Sequence, residues 1–203
     1  MKKLIYFSIL VFSIICISCN SDDDYYSRLP PETQTGENTF VCLIDGKLFY
    51  PRDGYRGLGG SGARAIRFIA SGLSPNFTSR HLNVNNYRDG KPINNFTLQI
   101  HNIDQIGEGN YEFKLSNFKR GIDSPPHTHL YVRAYHEPSG GFKWYGTTDN
   151  SGTLVITRFD LSNRIISGTF SGILKERNGE ETVTITDGRF DINLSTIANE
   201  IFP

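Results

Sequence analysis

The chain reads as all-β, an antiparallel two-sheet sandwich or flattened barrel of about ten to twelve strands. Three observations carry this. Short runs alternate apolar and polar residues with the period of two that a half-buried strand requires. Turn dipeptides separate those runs. No stretch of about ten residues shows the 3.6-residue period of an amphipathic helix, and 20 glycines suit a chain of many turns.

The first strand signals are 39–44 and 47–50, flanking Asp45-Gly46. That dipeptide tolerates positive φ at both positions, as a two-residue hairpin turn demands. Candidate strands follow at 65–70 and 81–85. In 96–103, Phe96, Leu98 and Ile100 share one face. Further runs occupy 111–115, 130–135, 153–160 and 165–174. The closing hairpin turns at Asn178-Gly179 and returns through 182–186. Asp187-Gly188 then precedes 189–192, with Phe190, Ile192 and Leu194 on one face.

The N-terminus has a different character. Lys2 and Lys3 precede an uncharged apolar run from Leu4 to Ser18. That run is about fifteen residues, shorter than the roughly twenty that span a bilayer, and fits the core of a secretory signal. Ile17-Ser18-Cys19 resembles the end of a lipobox, with Cys16 where an aliphatic residue is usual. Cys16 is a poor alternative acceptor, because bulky Ile15 precedes it. The expected organisation is a lipoprotein signal peptide at 1–18, lipidation at Cys19, a flexible tether at 19–37, and one β-domain at 38–203. The tether expectation rests on Leu29-Pro30-Pro31-Glu32-Thr33-Gln34-Thr35-Gly36, which lacks apolar periodicity.

Ser21, Asp22, Asp23 and Asp24 resemble the serine-acidic export signal of Bacteroidota surface lipoproteins. The resemblance implies an outer-membrane address facing the cell exterior, with the periplasmic face as the alternative. Three sequence features together also resemble a group of Bacteroidota lipoproteins whose domains have no assigned function. They are the proline-rich tether, Asn38-Thr39-Phe40-Val41-Cys42-Leu43-Ile44-Asp45-Gly46-Lys47, and Gly168-Thr169-Phe170-Ser171-Gly172 with Ile185-Thr186-Asp187-Gly188-Arg189-Phe190-Asp191. That resemblance implies an envelope β-domain and brings no site residues.

Charge narrows the partners. Removing Lys2 and Lys3 from 21 basic residues leaves 19 against 21 acidic ones, a formal net charge of −2. With no run of Lys or Arg, the sequence makes no case for nucleic acid. Membrane attachment is expected through lipid on Cys19. Cys42 then stands alone in an apolar run, a buried thiol without a disulfide partner.

No cofactor and no catalytic residue is expected. Gly-x-Ser-x-Gly and His-Glu-x-x-His are absent from the sequence. The glycine-rich 57–62 segment lacks the Lys-Ser/Thr ending of a phosphate loop. His127 and His129, two apart, would point the same way on a strand and are weak metal candidates. His136 has the opposite parity. Tyr135, Phe142, Trp144 and Tyr145 crowd around Pro138-Ser139-Gly140-Gly141 and are the candidate ligand-binding residues, since aromatic faces stack on sugar rings. Trp144 and Tyr145 must face opposite sides of a strand. The expected function is a binding or accessory module for a glycan or envelope protein. The alternatives are a purely structural envelope protein and, third, a hydrolase.

Overall fold

The computed structural model describes residues 29–54, 62–70, 79–88 and 91–203. The expected signal sequence, Cys19, Ser21, Asp22, Asp23 and Asp24 lie outside the described residues, as does 57–61 of the glycine-rich segment.

Ten strands make up the domain: β1 (Thr39–Ile44), β2 (Lys47–Phe49), β3 (Ile66–Ala70), β4 (Ser79–Arg88), β5 (Lys91–His101), β6 (Gly109–Glu112), β7 (His129–His136), β8 (Gly141–Asp160), β9 (Ile165–Glu176) and β10 (Thr182–Asn193). The short helix α1 (Ile103–Ile106) follows β5. All the strand pairings are antiparallel, in the order β2-β1-β10-β9-β8-β7-β5-β4-β3, with β6 on β8. Hydrogen bonding runs unbroken from β2 to β3. The strands therefore form one curled sheet, a half-barrel, where the sequence left a two-sheet sandwich equally open.

The curl is measurable in the core. Phe40 on β1 and Phe96 on β5 are separated by four strands in the sheet order. Flat spacing would put them about 24 Å apart, at about 4.8 Å per strand. Their ring centroids are 4.9 Å apart, edge to face. Phe170 joins them at 5.6 Å from Phe40 and 5.1 Å from Phe96. Such contacts add about 0.5–1.5 kcal/mol per pair beyond the burial itself. Beyond β2, Arg52 makes a parallel bridge to Asn86 of β4, drawing the sheet ends toward each other.

Five register shifts break the ladders, including Thr147/Gly152 on β8 and Ile185/Gly188 on β10. Bulges bend a strand and increase its twist, which a half-barrel requires. Asp187-Gly188 is accordingly a bulge within one long strand, with Asp187 at φ 53°. Asp45-Gly46 is the expected hairpin turn, with φ of 48° and 74°. Cys42 is buried and free, and desolvation pushes its thiol pKa far above the usual range.

Part of the stretch read as a tether is bound to the domain. The buried Asp191 carboxylate accepts from Thr33 Oγ1 at 2.8 Å and from the backbone N–H groups of Thr35, Gly36 and Glu37 at 2.9–3.1 Å. Ser167 Oγ donates to the same carboxylate at 2.7 Å.

Candidate functional site

Strands β4, β5 and β7 turn Leu82, Val84, Phe96, Leu98, Leu130 and Val132 into the core. Residues of the other parity must face outward, and they are polar: Asn83 and Asn85 on β4, Asn95 and Thr97 on β5, Tyr131 and Arg133 on β7. Trp144 of β8 sits directly opposite Arg133. Arg67 of β3 sits opposite Asn83.

The β6–β7 connection, residues 113–128, crosses this outer face and is pinned to it. Ser116 Oγ and Ser124 Oγ each lie 2.9 Å from a different ring nitrogen of His129. Gln99 donates to the Pro125 and His127 carbonyls at 2.5 and 2.9 Å, and Ser124 Oγ donates to Gln99 Oε1. Between the connection and the sheet lies a groove of about 630 Å³. Its walls are Phe118, Lys119, Arg120 and Asp123 from the connection, and Tyr87, Tyr131 and Trp144 from the sheet. Tyr131 and Trp144 present tilted rings 5.9 Å apart.

Four cations line the groove, Arg67, Lys119, Arg120 and Arg133, against one carboxylate, Asp123. Among the described residues no carboxylate forms an ion pair with any of the four. The sequence has no run of Lys or Arg, yet the fold assembles these four from three separate segments. Only Lys119 and Arg120 are neighbours in the chain, so no charge run marked it.

The floor continues into buried polar residues. Among the described residues, His81, on the same face as Asn83, has no hydrogen-bond partner at either ring nitrogen, and the Asn83 amide nitrogen has none. Burial, reinforced by the charge of Arg120, lowers the His81 pKa to about 4. Burial, with His127 and His81 nearby, takes His129 down to about 3. Both rings are neutral at physiological pH.

The structure separates the residues named from sequence. Trp144 lines the groove. Tyr135 and Phe142 lie beyond it on the same outer face, paired across β7 and β8 with rings 5.5 Å apart. The Arg133 guanidinium stacks over Phe142 at 4.1 Å. Tyr145 faces the core and is buried, as its parity against Trp144 required. His127 and His129 are neighbours, with rings 6.1 Å apart. Both His129 nitrogens engage serine hydroxyls, and His127 Nε2 engages the Leu115 carbonyl at 2.8 Å. Among the described residues no three His, Cys, Asp or Glu side chains are grouped to hold a metal.

A second cavity, about 530 Å³, opens at the core side of the sheet between Phe49, Ala134, Tyr145 and Val183. At its rim His136 Nε2 lies 3.0 Å from Glu181, and His136 Nδ1 lies 2.8 Å from Ser139 Oγ. Lys143, bonded to Glu181 at 2.8 Å, holds that carboxyl below its usual range. No sequence motif announced this arrangement, because Glu181 arrives from the far end of the chain.

No family model matches the chain, and comparison with curated proteins and with solved structures finds no match.

Proposed function

We propose that this protein is a lipid-anchored envelope lipoprotein, displayed at the outer membrane, that acts as a binding or accessory module for a glycan or an envelope protein. The groove under the β6–β7 connection carries this reading. It is open, of ligand size, and combines the Trp144 and Tyr131 rings with amides and four cations that no described carboxylate pairs. Concave sites with a few convergent polar groups are where ligands bind. The anchoring half of the reading rests on Lys2, Lys3, the apolar run and Cys19.

Protease shaving of intact cells tests the address. The domain should be lost from intact cells, and a Cys19→Ala variant should not be displayed. Protection until the outer membrane is broken would move the reading to the periplasmic face. Binding is tested by screening the full-length chain against a glycan panel, with Trp144→Ala expected to lose about tenfold, as one stacked ring contributes about 0.5–1.5 kcal/mol in addition to its buried area. A chain that binds no saccharide and no envelope protein would instead fit a structural role.

The rim of the second cavity favours one other reading. Glu181, His136 and Ser139 have the connectivity of a hydrolytic triad. Ser139 N–H also donates to His136 Nδ1 at 3.2 Å, so that nitrogen is an acceptor, as a general base must be. A fluorophosphonate probe that leaves Ser139 unlabelled would remove this reading.

A further inference from the structure

The geometry points to an anionic saccharide, one bearing carboxylate or sulfate groups, as the ligand of the groove; this rests on the reading of that groove as a glycan site. Hydrogen-bond accounting across the floor carries it. Asn83 Oδ1 accepts from Thr97 Oγ1 at 3.1 Å, and Asn85 Oδ1 accepts from Asn95 Nδ2 at 2.7 Å. These two amide oxygens are thus engaged within the floor. Facing a ligand are chiefly donors: the buried Asn83 amide nitrogen, which has no acceptor among the described residues, and four guanidinium and ammonium groups against the Asp123 carboxylate.

A buried donor without an acceptor is unfavourable, so this floor is incomplete until an acceptor reaches it. Arg67, Lys119, Arg120 and Arg133 against Asp123 give the groove a formal charge of +3 on a chain of net charge zero. Arginine forks match carboxylate and sulfate oxygens, and charge-assisted bonds are about twice as strong as neutral ones. A neutral sugar would leave these cations unanswered. Trp144 and Tyr131 supply the faces on which pyranose C–H groups stack. Single-stranded nucleic acid is also anionic and stacks on aromatic rings. Its bases, however, need acceptors as well as donors for their edges, and the floor offers chiefly donors.

The test is calorimetric titration of the full-length chain with trigalacturonate and with a heparin-derived tetrasaccharide. Each is paired with its neutral form, the methyl ester and the desulfated, carboxyl-reduced sugar. An oligothymidylate is run alongside. At least one acidic sugar should bind about tenfold or more tightly than its neutral form. That preference should shrink between about 20 and 200 mM salt, where screening shortens from about 20 Å to below 10 Å. Arg133→Gln should reduce binding of the acidic sugar about tenfold and shrink its preference over the neutral form. The salt series on the unmodified chain is informative even if the variant misfolds. Equal binding of the neutral form overturns the inference and leaves the glycan site standing. Tighter binding of oligothymidylate overturns it in favour of nucleic acid. Binding of no saccharide at all overturns both.

Discussion

Replacing Asp191 by Asn should loosen the N-terminal segment and cost the domain several kcal/mol. The Asp191 side chain is 1 % exposed and receives donors from two directions: Ser167 Oγ on β9, and the hydroxyl and backbone N–H groups of residues 33–37. Burial works to raise its pKa, and bonds from Ser167, Glu37, Thr33 and Gly36 outweigh it, so the carboxyl titrates below its ordinary value of 3.8. An asparagine retains one acceptor oxygen. Turned toward Ser167, its amide nitrogen donates to that hydroxyl, and the oxygen keeps the four donors of residues 33–37. What is lost is the charge: a bond to a charged group contributes about 1.5–3 kcal/mol against about 0.5–1.5 for a neutral one, so four bonds each weaken by about 1 kcal/mol, near 4 kcal/mol in all. In a domain of this size that corresponds to a fall in Tm of about 10 °C, at about 2–4 °C per kcal/mol. Thermal unfolding followed by circular dichroism reads this directly. Limited proteolysis should find the 29–37 segment newly cleavable before global unfolding. Ser167→Ala, which removes one donor and leaves no partner orphaned elsewhere, should cost only about 1 kcal/mol. The pH dependence has a definite sign. Because the folded carboxyl is depressed, its contribution is whole above about 3.8 and disappears as the pH falls below it. An Asp191→Asn loss under about 1 kcal/mol, or no change in cleavage at 29–37, would refute the clasp.

Acid should weaken the fold earlier than carboxylates alone would allow. His81 and His129 are held neutral to about 4 and about 3 from an ordinary 6.5. The unfolded chain therefore takes up protons that the folded one refuses, and stability is full above 6.5 and drains as the pH falls. Between pH 6.5 and 5 each histidine costs about 2 kcal/mol, at 1.36 kcal/mol per pH unit. Urea midpoints at the two pH values measure it, and His81→Leu should remove about half the loss. Gly152→Ala should destabilise by about 3 kcal/mol, since its Cβ would strike the Ser171 carbonyl and sit 2.5 Å from Gly172 Cα. Gly46→Ala meets open space and pays only the strain of φ +74°, about 1 kcal/mol; urea denaturation ranks the two. Cys42 should resist a maleimide in the native state and react fully on unfolding, with native labelling on the timescale of an exposed thiol as the contrary result.

Legibility in the sequence followed the range of the interaction. Asp45-Gly46 announced its hairpin because the signal, two residues able to take positive φ, is complete within the turn. Asp187-Gly188 carries the same two residues and makes a bulge, because β10 remains paired to β9 on both sides of it. The first half of β8 escaped notice since Gly140, Gly141 and Gly146 broke its alternation. The strand is held there by β7, not by its own propensity. Among the aromatic residues, parity alone separated Trp144 from Tyr145. Which of the two faced the core awaited the sheet.

The amino-acid sequence by itself determined the strand content, the alternation that sorts each strand into a core face and an outer face, and the tight turns. All of these depend on residues within a few positions of one another. Tertiary structure decided that the strands close into a single half-barrel with β1 against β5. It also decided that Asp191 anchors residues 33–37, and that Arg67, Lys119, Arg120 and Arg133 share one groove. Those outcomes rest on pairings between residues tens to more than a hundred positions apart. A period of two tells a strand which way its side chains point and nothing about which strand lies beside it.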